Sequence, residues 1–196
     1  MFIAACFFFG ITSMYGQKFS AAMVLGFNAS QIDGDGYAGY SKVGFTGGAR
    51  LQYPLSDKSS LNLEFLYSQR GSRSSLFSSD QGNFGININY AEIPVLYSLN
   101  DWFIEKESYY KVGFDAGLSY GRLITASSRS GAFDEALNNL KKNDISYILG
   151  LRYKFNPRWG LTIRYTRGLA KMYVDEKLEF GGLLGYFLTC RTEYYF

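Results

Sequence analysis

The stretch SQIDGDGYAGY, residues 30–40, sets two aspartates one glycine apart, Asp33 and Asp35. Carboxylates at alternate positions open calcium-binding loops, in which successive oxygens converge on one hard cation. A helix–loop–helix calcium loop beginning at Asp33 would need Gly at its sixth position and Glu at its twelfth. Ala38 and Gly44 stand there instead. The same residue types also make turns, because Gly supplies unusual backbone angles and Asp bonds its own backbone. The stretch is read as a turn, with Asp33 and Asp35 kept as a weak metal candidate. No other metal or cofactor site is expected.

Other chemistry is narrowed by one absence. The chain has no histidine, which removes the commonest general base and zinc ligand and rules out a Ser-His-Asp arrangement. Glu64, Glu92, Asp115 and Glu193 could in principle supply a catalytic carboxylate pair. They share their polar faces with Lys42, Arg50, Arg70, Lys111, Arg152, Lys154, Arg164 and Arg191. Salt bridges are the expected use of such a mixture, so no catalytic residue is assigned.

These charges lie in segments that alternate with period two, the mark of strands with two unlike faces. In KFSAAMVLGFN, Phe19, Ala21, Met23, Leu25 and Phe27 share one face. In SKVGFTGGARLQYP, Val43, Phe45, Leu51 and Tyr53 oppose Lys42, Thr46, Arg50 and Gln52. Similar segments follow around residues 60–70, 85–100, 111–120, 145–155, 159–166 and 186–196. In the fourth, the apolar residues change parity upstream of Ile93, which predicts a bulge or a stretch beyond a membrane. Eight strands of about 9–14 residues are expected, against the roughly 9–11 that cross a bilayer.

Tyr and Phe at 17 each and only three Pro fit many short strands. The apolar face carries almost no charge and is aromatic near the strand ends, whereas the other face combines charge with glycine. A lipocalin-like soluble barrel would bury the apolar face, but an apolar exterior with aromatic girdles is the outer-membrane pattern. Connections alternate long (29–39, 71–85, 123–144, 168–183) and tight (54–58, 156–158), with the fourth, around NDWFIEKES, intermediate, as expected of a barrel with one end outside and one in the periplasm. The fold expected is an all-β, eight-stranded antiparallel up-and-down transmembrane β-barrel over residues 17–196. Its twelve charged inward residues should fill a lumen of that size. Tyr194 and Phe196 give the aromatic ending that barrel assembly machinery reads during biogenesis.

Residues 2–16 are apolar or small and uncharged, too short to span a membrane as a helix, and fit a signal peptide over 1–16 cleaved before Gln17. Ile3-Ala4-Ala5-Cys6 looks like a lipoprotein box, but the apolar residues after Cys6 argue against it. Without Cys6, Cys190 is a lone thiol on an outer face. A net charge of +3, evenly spread, gives no case for nucleic acid. The expected surroundings are outer-membrane lipid on the wall, with polar loops outside. The segment AFDEALNNLKK, 132–142, is read as a short helix that caps the barrel or docks a partner.

Residues 26–73 together with YAEIPVLYSL and RYTRGL resemble the Bacteroidota outer-membrane β-barrel family, the porin-family group that includes PorT-like proteins, and the resemblance runs from about Leu25 to the C-terminus. The resemblance implies an eight-stranded outer-membrane barrel and fixes no activity. A structural or interaction module with a filled lumen and exposed loops is the first expectation. The alternatives are a small-solute porin-like channel, or an accessory subunit of an outer-membrane secretion or assembly complex of the type IX kind, with a protein partner.

Overall fold

The computed structural model describes residues 19–34, 39–73, 85–128, 137, 139–174 and 181–196. The leader over 1–16, Asp35 and most of the helix expected over 132–142 lie outside these. Eight antiparallel strands follow one another in the wall: β1 (Ser20–Asp33), β2 (Lys42–Pro54), β3 (Ser59–Arg73), β4 (Gly85–Ile104), β5 (Tyr109–Ser128), β6 (Asn143–Lys154), β7 (Trp159–Gly168) and β8 (Leu184–Tyr195). Each pairs with the next, and β8 returns to β1 from Tyr195↔Ala22 to Leu184↔Asp33, closing the barrel. Closure leaves no edge with unpaired backbone groups, the condition for crossing lipid.

Alternation sorts the side chains. Leu25, Phe27, Val43, Phe45, Leu61, Phe65, Val95, Leu118, Leu149, Leu151 and Ile163 are exposed on the outside, whereas Arg50, Asn62, Glu64, Asp115, Thr162, Arg191 and Glu193 are buried inside. Aromatic pairs gather at the end with the short connections: Phe19–Tyr53 and Trp159–Tyr194 at 5.0 Å, and Tyr194–Phe196 at 5.5 Å. Tyr40–Tyr186 and Tyr147–Tyr165 mark the other end.

Two strands are longer than expected. β4 and β5 run 20 residues each, because their ladder extends from Ile86↔Ser128 to Ile104↔Tyr109. The 3-10 turn Glu105–Glu107 joins them. The change of parity in β4 also resolves. Inward positions stay even throughout, from Ile86, Ile88 and Tyr90 to Leu96 and Ser98. What changes is the preferred polarity of the interior, apolar toward the long loops and polar further down. A bulge does occur between Asn89 and Tyr90, with the extra residue, Ile124, on β5.

Small residues let the wall close around long side chains. A Cβ at Gly117 would stand 2.1 Å from the Val95 carbonyl oxygen and 2.9 Å from Leu96 Cα, both backbone atoms of the neighbouring strand. Gly117→Val is expected to cost about 1–3 kcal/mol or more, whereas Ala116→Val on the lipid side should be tolerated. Heat-modifiable gel migration and a urea unfolding midpoint measure this; equal midpoints for the two variants would contradict the close-approach account.

Candidate functional site

The lumen is organised as stacked layers of ion pairs. At its centre the carboxylate of Glu64 on β3 accepts bidentate hydrogen bonds from Arg164 on β7 (2.7 Å to each oxygen) and from Arg191 on β8 (2.9 and 2.7 Å). Glu193 accepts from Arg191 and from Arg50 on β2, at 2.7 and 3.3 Å. Asp115 on β5 accepts from Arg50, Arg152 and Arg164 at 3.1, 3.0 and 3.3 Å. All seven side chains are nearly or fully inaccessible to solvent. Guanidinium groups suit this work, since the planar fork matches a carboxylate and keeps its charge when buried. Neutral groups complete the set: Asn62 accepts from Arg50 Nε, Thr162 donates to Glu193, Ser98 donates to Asp115, and the Tyr195 hydroxyl donates to Glu193. Glycines opposite make room, as at Gly150, whose Cβ would come within 2.9 Å of Arg164 Cγ.

A second layer lies nearer the long loops. Arg70 pairs with Glu92 at 2.6 Å and with Asp144 at 2.9 Å. Its guanidinium lies 4.8 Å from the Tyr90 ring centre and 4.2 Å from that of Phe187. Above it, Ile32, Ile86, Ile88, Leu137, Leu140, Met172 and Leu183 form a buried apolar cluster. Backbone bonds tie the loop residues of this cap together: Lys141 to Met172, Met172 to Leu183 and Leu183 to Tyr173. The lumen cavities beside Arg70 and beside Arg164 measure about 10 Å³ each, about the minimum for one water.

Of the residues expected in one lumen network, Arg50, Glu64, Arg70, Glu92, Asp115, Arg152, Arg164, Arg191 and Glu193 lie in these two layers. Lys154 lies below them, with its Nζ 3.6 Å from the Tyr195 ring centre. Lys42 and Lys111 do not join. Lys42 sits at the long-loop rim and donates to the Val43 carbonyl. Lys111 sits at the opposite rim, over the Trp102 and Tyr153 rings. Both have inward parity, but each stands at a strand end, where a long side chain reaches water. Asp144 was missed, although extending the β6 alternation two residues upstream of Ser146 reaches it. Tyr195 was missed as an aromatic on a polar face.

Asp33 also differs from its expected place in a turn. It is the last residue of β1, paired with Leu184, and its carboxylate lies 3.7 Å from Arg167. Gly34 beyond it makes the turn, with φ at +96°. Tyr40 stands nearby; burial raises its phenol from the ordinary value, Tyr165 and Asp33 add to the rise, and Arg167 opposes it. No cluster of metal-ligating side chains occurs among the described residues. Tyr194 lies on the outer face between Trp159 and Phe196, and Phe196 is 76% exposed.

A closed wall with an apolar exterior, aromatic ends and an ionic interior defines a small transmembrane β-barrel of the outer membrane. The chain belongs to the outer membrane protein beta-barrel domain family, whose family model matches residues 15–174. Among solved structures it is similar to Ail, the attachment invasion locus protein of Yersinia pestis, at 14% identity and a TM-score of 0.53, over 92% of this chain and 100% of that one. It is also similar to the outer membrane protein OprG from Pseudomonas aeruginosa, at 13% identity and a TM-score of 0.45, over 92% and 98%. No curated protein matches it.

Removing the Glu64 carboxylate leaves Arg164 and Arg191 buried without their shared partner. Glu64→Ala is expected to destabilise the barrel by about 3–5 kcal/mol, read by urea unfolding in lipid vesicles from Trp fluorescence. Adding Arg164→Met to that variant should recover part of the loss. No loss in the single variant, or strictly additive losses in the pair, would show that the clasp contributes nothing as a unit.

Proposed function

We propose that this protein is a plugged barrel, an anchor and interaction module rather than a conducting pore or a catalyst. One observation carries the reading. Arginine–carboxylate layers and an apolar cap occupy the lumen in series, and the cavities beside Arg70 and Arg164 measure only about 10 Å³ each. An eight-stranded barrel is just wide enough for side chains to fill, and this one is filled by pairs that hold one another. Within this reading the ion pairs stiffen the wall, the outer belt solvates in lipid, and the long-loop rim meets partners outside. The absence of histidine and the pairing of the central carboxylates with arginine speak against catalysis. Residues 1–16 serve as the export signal. Tyr194 and Phe196 serve as the assembly signal, supported by the exposure of Phe196 at the strand end. The resemblance to PorT-like proteins of Bacteroidota supports a place beside a larger outer-membrane complex.

Planar-bilayer recording tests the plug. The wild-type barrel should show no steady conductance, and the Arg50→Ala, Arg164→Ala double variant, which removes two of the groups that bridge the lumen, should show more frequent openings. Steady, uniform current steps from the wild type would overturn the reading in favour of a small-solute channel.

A further inference from the structure

One irregular seam of the wall lies at the long-loop rim, between β2 and β3. The β1–β2 ladder continues up to Ser30↔Lys42 and the β3–β4 ladder up to Arg73↔Gly85. The β2–β3 ladder between them stops at Thr46↔Ser68. Beyond that point side chains replace backbone pairing: the Phe45 amide donates to Gln69 Oε1, and Asn28 Nδ2 donates to the Gln69 carbonyl. Gly71 then takes φ +149°, where a Cβ would come within 1.9 Å of the Ile86 carbonyl oxygen. Above the seam is a cleft of about 110 Å³ with Lys42 and Val43 on one lip, Arg73 and Asn87 on the other, and buried Ser72 at its floor. A single water needs only about 10–15 Å³, so the cleft has room for a larger polar group.

Its chemistry is one-sided. Among the described residues two cations line it and no carboxylate does. Ser72 is fully buried, and its hydroxyl has no hydrogen-bond partner among the described residues. Buried hydroxyls are nearly always bonded, so an unpartnered hydroxyl on a residue that lines a basic cleft marks the place of an acceptor. Val43, 51% exposed, continues the cleft onto the lipid-facing wall. We propose that this cleft binds a phosphate group, with Arg73 and Lys42 supplying charge from opposite lips and the Ser72 hydroxyl donating from the floor. The phosphate belongs either to a lipid headgroup of the outer leaflet or to a soluble phosphate. The cleft is in the wall, so the proposal stands whether or not the lumen conducts.

The test uses the full barrel in zwitterionic micelles, titrated with three probes: bisphosphorylated lipid A, the same lipid dephosphorylated, and inorganic phosphate. Phosphorylated lipid should bind at least about ten-fold more tightly than its dephosphorylated form, the scale of a charge-assisted hydrogen bond. Arg73→Gln should weaken it about ten-fold. Ser72→Ala should weaken it less, and Lys58→Gln on the opposite rim should leave it unchanged. Retained heat-modifiable migration of each variant separates loss of binding from loss of fold. Inorganic phosphate that binds alone and competes with the lipid identifies a soluble ligand, and phosphate that does neither identifies the headgroup; both support the site. Equal binding of the two lipids without binding of inorganic phosphate, or unchanged binding in a folded Lys42→Gln, Arg73→Gln variant, overturns it.

Discussion

Glu64 sits between two guanidinium groups that approach it from β7 and β8 across the width of the lumen. A narrow closed wall makes this arrangement obligatory once charges point inward. There is no room for bulk water to solvate them, and an unpaired ion there costs several kcal/mol. Four arginines therefore share three carboxylates in the central layer, and each carboxylate is held from more than one direction. The consequence is mechanical. Arg50, Glu64, Asp115, Arg152, Arg164, Arg191 and Glu193 come from six different strands, so the pairs brace the wall across its diameter while the ladders hold it along its circumference. β1 is tied in by neutral groups: Asn28 donates to Ser68 and accepts from Thr189.

Polarity along the barrel axis follows from what lies outside the wall. At membrane depth the exterior is apolar, so the charged residues are confined to the interior. Toward the long loops the exterior turns polar, as in the Asn89–Thr125 hydrogen bond, and the interior turns apolar, with Ile86 and Ile88 beneath Leu137, Leu140 and Met172. The same strands are thus inverted at one level and ordinary at the next. Arg70 marks the boundary, with carboxylates on one side and the rings of Tyr90 and Phe187 on the other.

Much of this was legible in the sequence, and the misses share a cause. Period-two alternation with long and short connections suffices for an eight-stranded barrel, because both are set by the bilayer. The same parity identified nine of the paired charges. Parity reports a side and not a depth, however, so Lys42 and Lys111 were grouped with residues far below or above them. The change in β4 looked like a possible break for the same reason: the side stayed constant while the level changed. Which arginine clasps which carboxylate was not legible, since Arg191 and Glu64 are 127 residues apart and meet only through closure. Asp33 was misread because Asp-Gly is a turn signal, whereas the strand continues through residues 29–33 of the expected loop, paired with β8 up to Asp33↔Leu184.

The ion pairs of the lumen and the cleft of the rim are connected by four consecutive residues. Arg70 is fixed by Glu92 and Asp144, Gly71 bends, Ser72 is buried at the floor of the cleft, and Arg73 stands on its lip. A side chain held this firmly from both sides sets where the chain leaves the regular wall. The seam between β2 and β3 is therefore not a loose edge. Its position is determined from below by a salt bridge and from the side by Asn28 and Gln69. The proposed plug and the proposed rim site are in this sense one construction: the charges that brace the barrel also hold the residues that line its mouth.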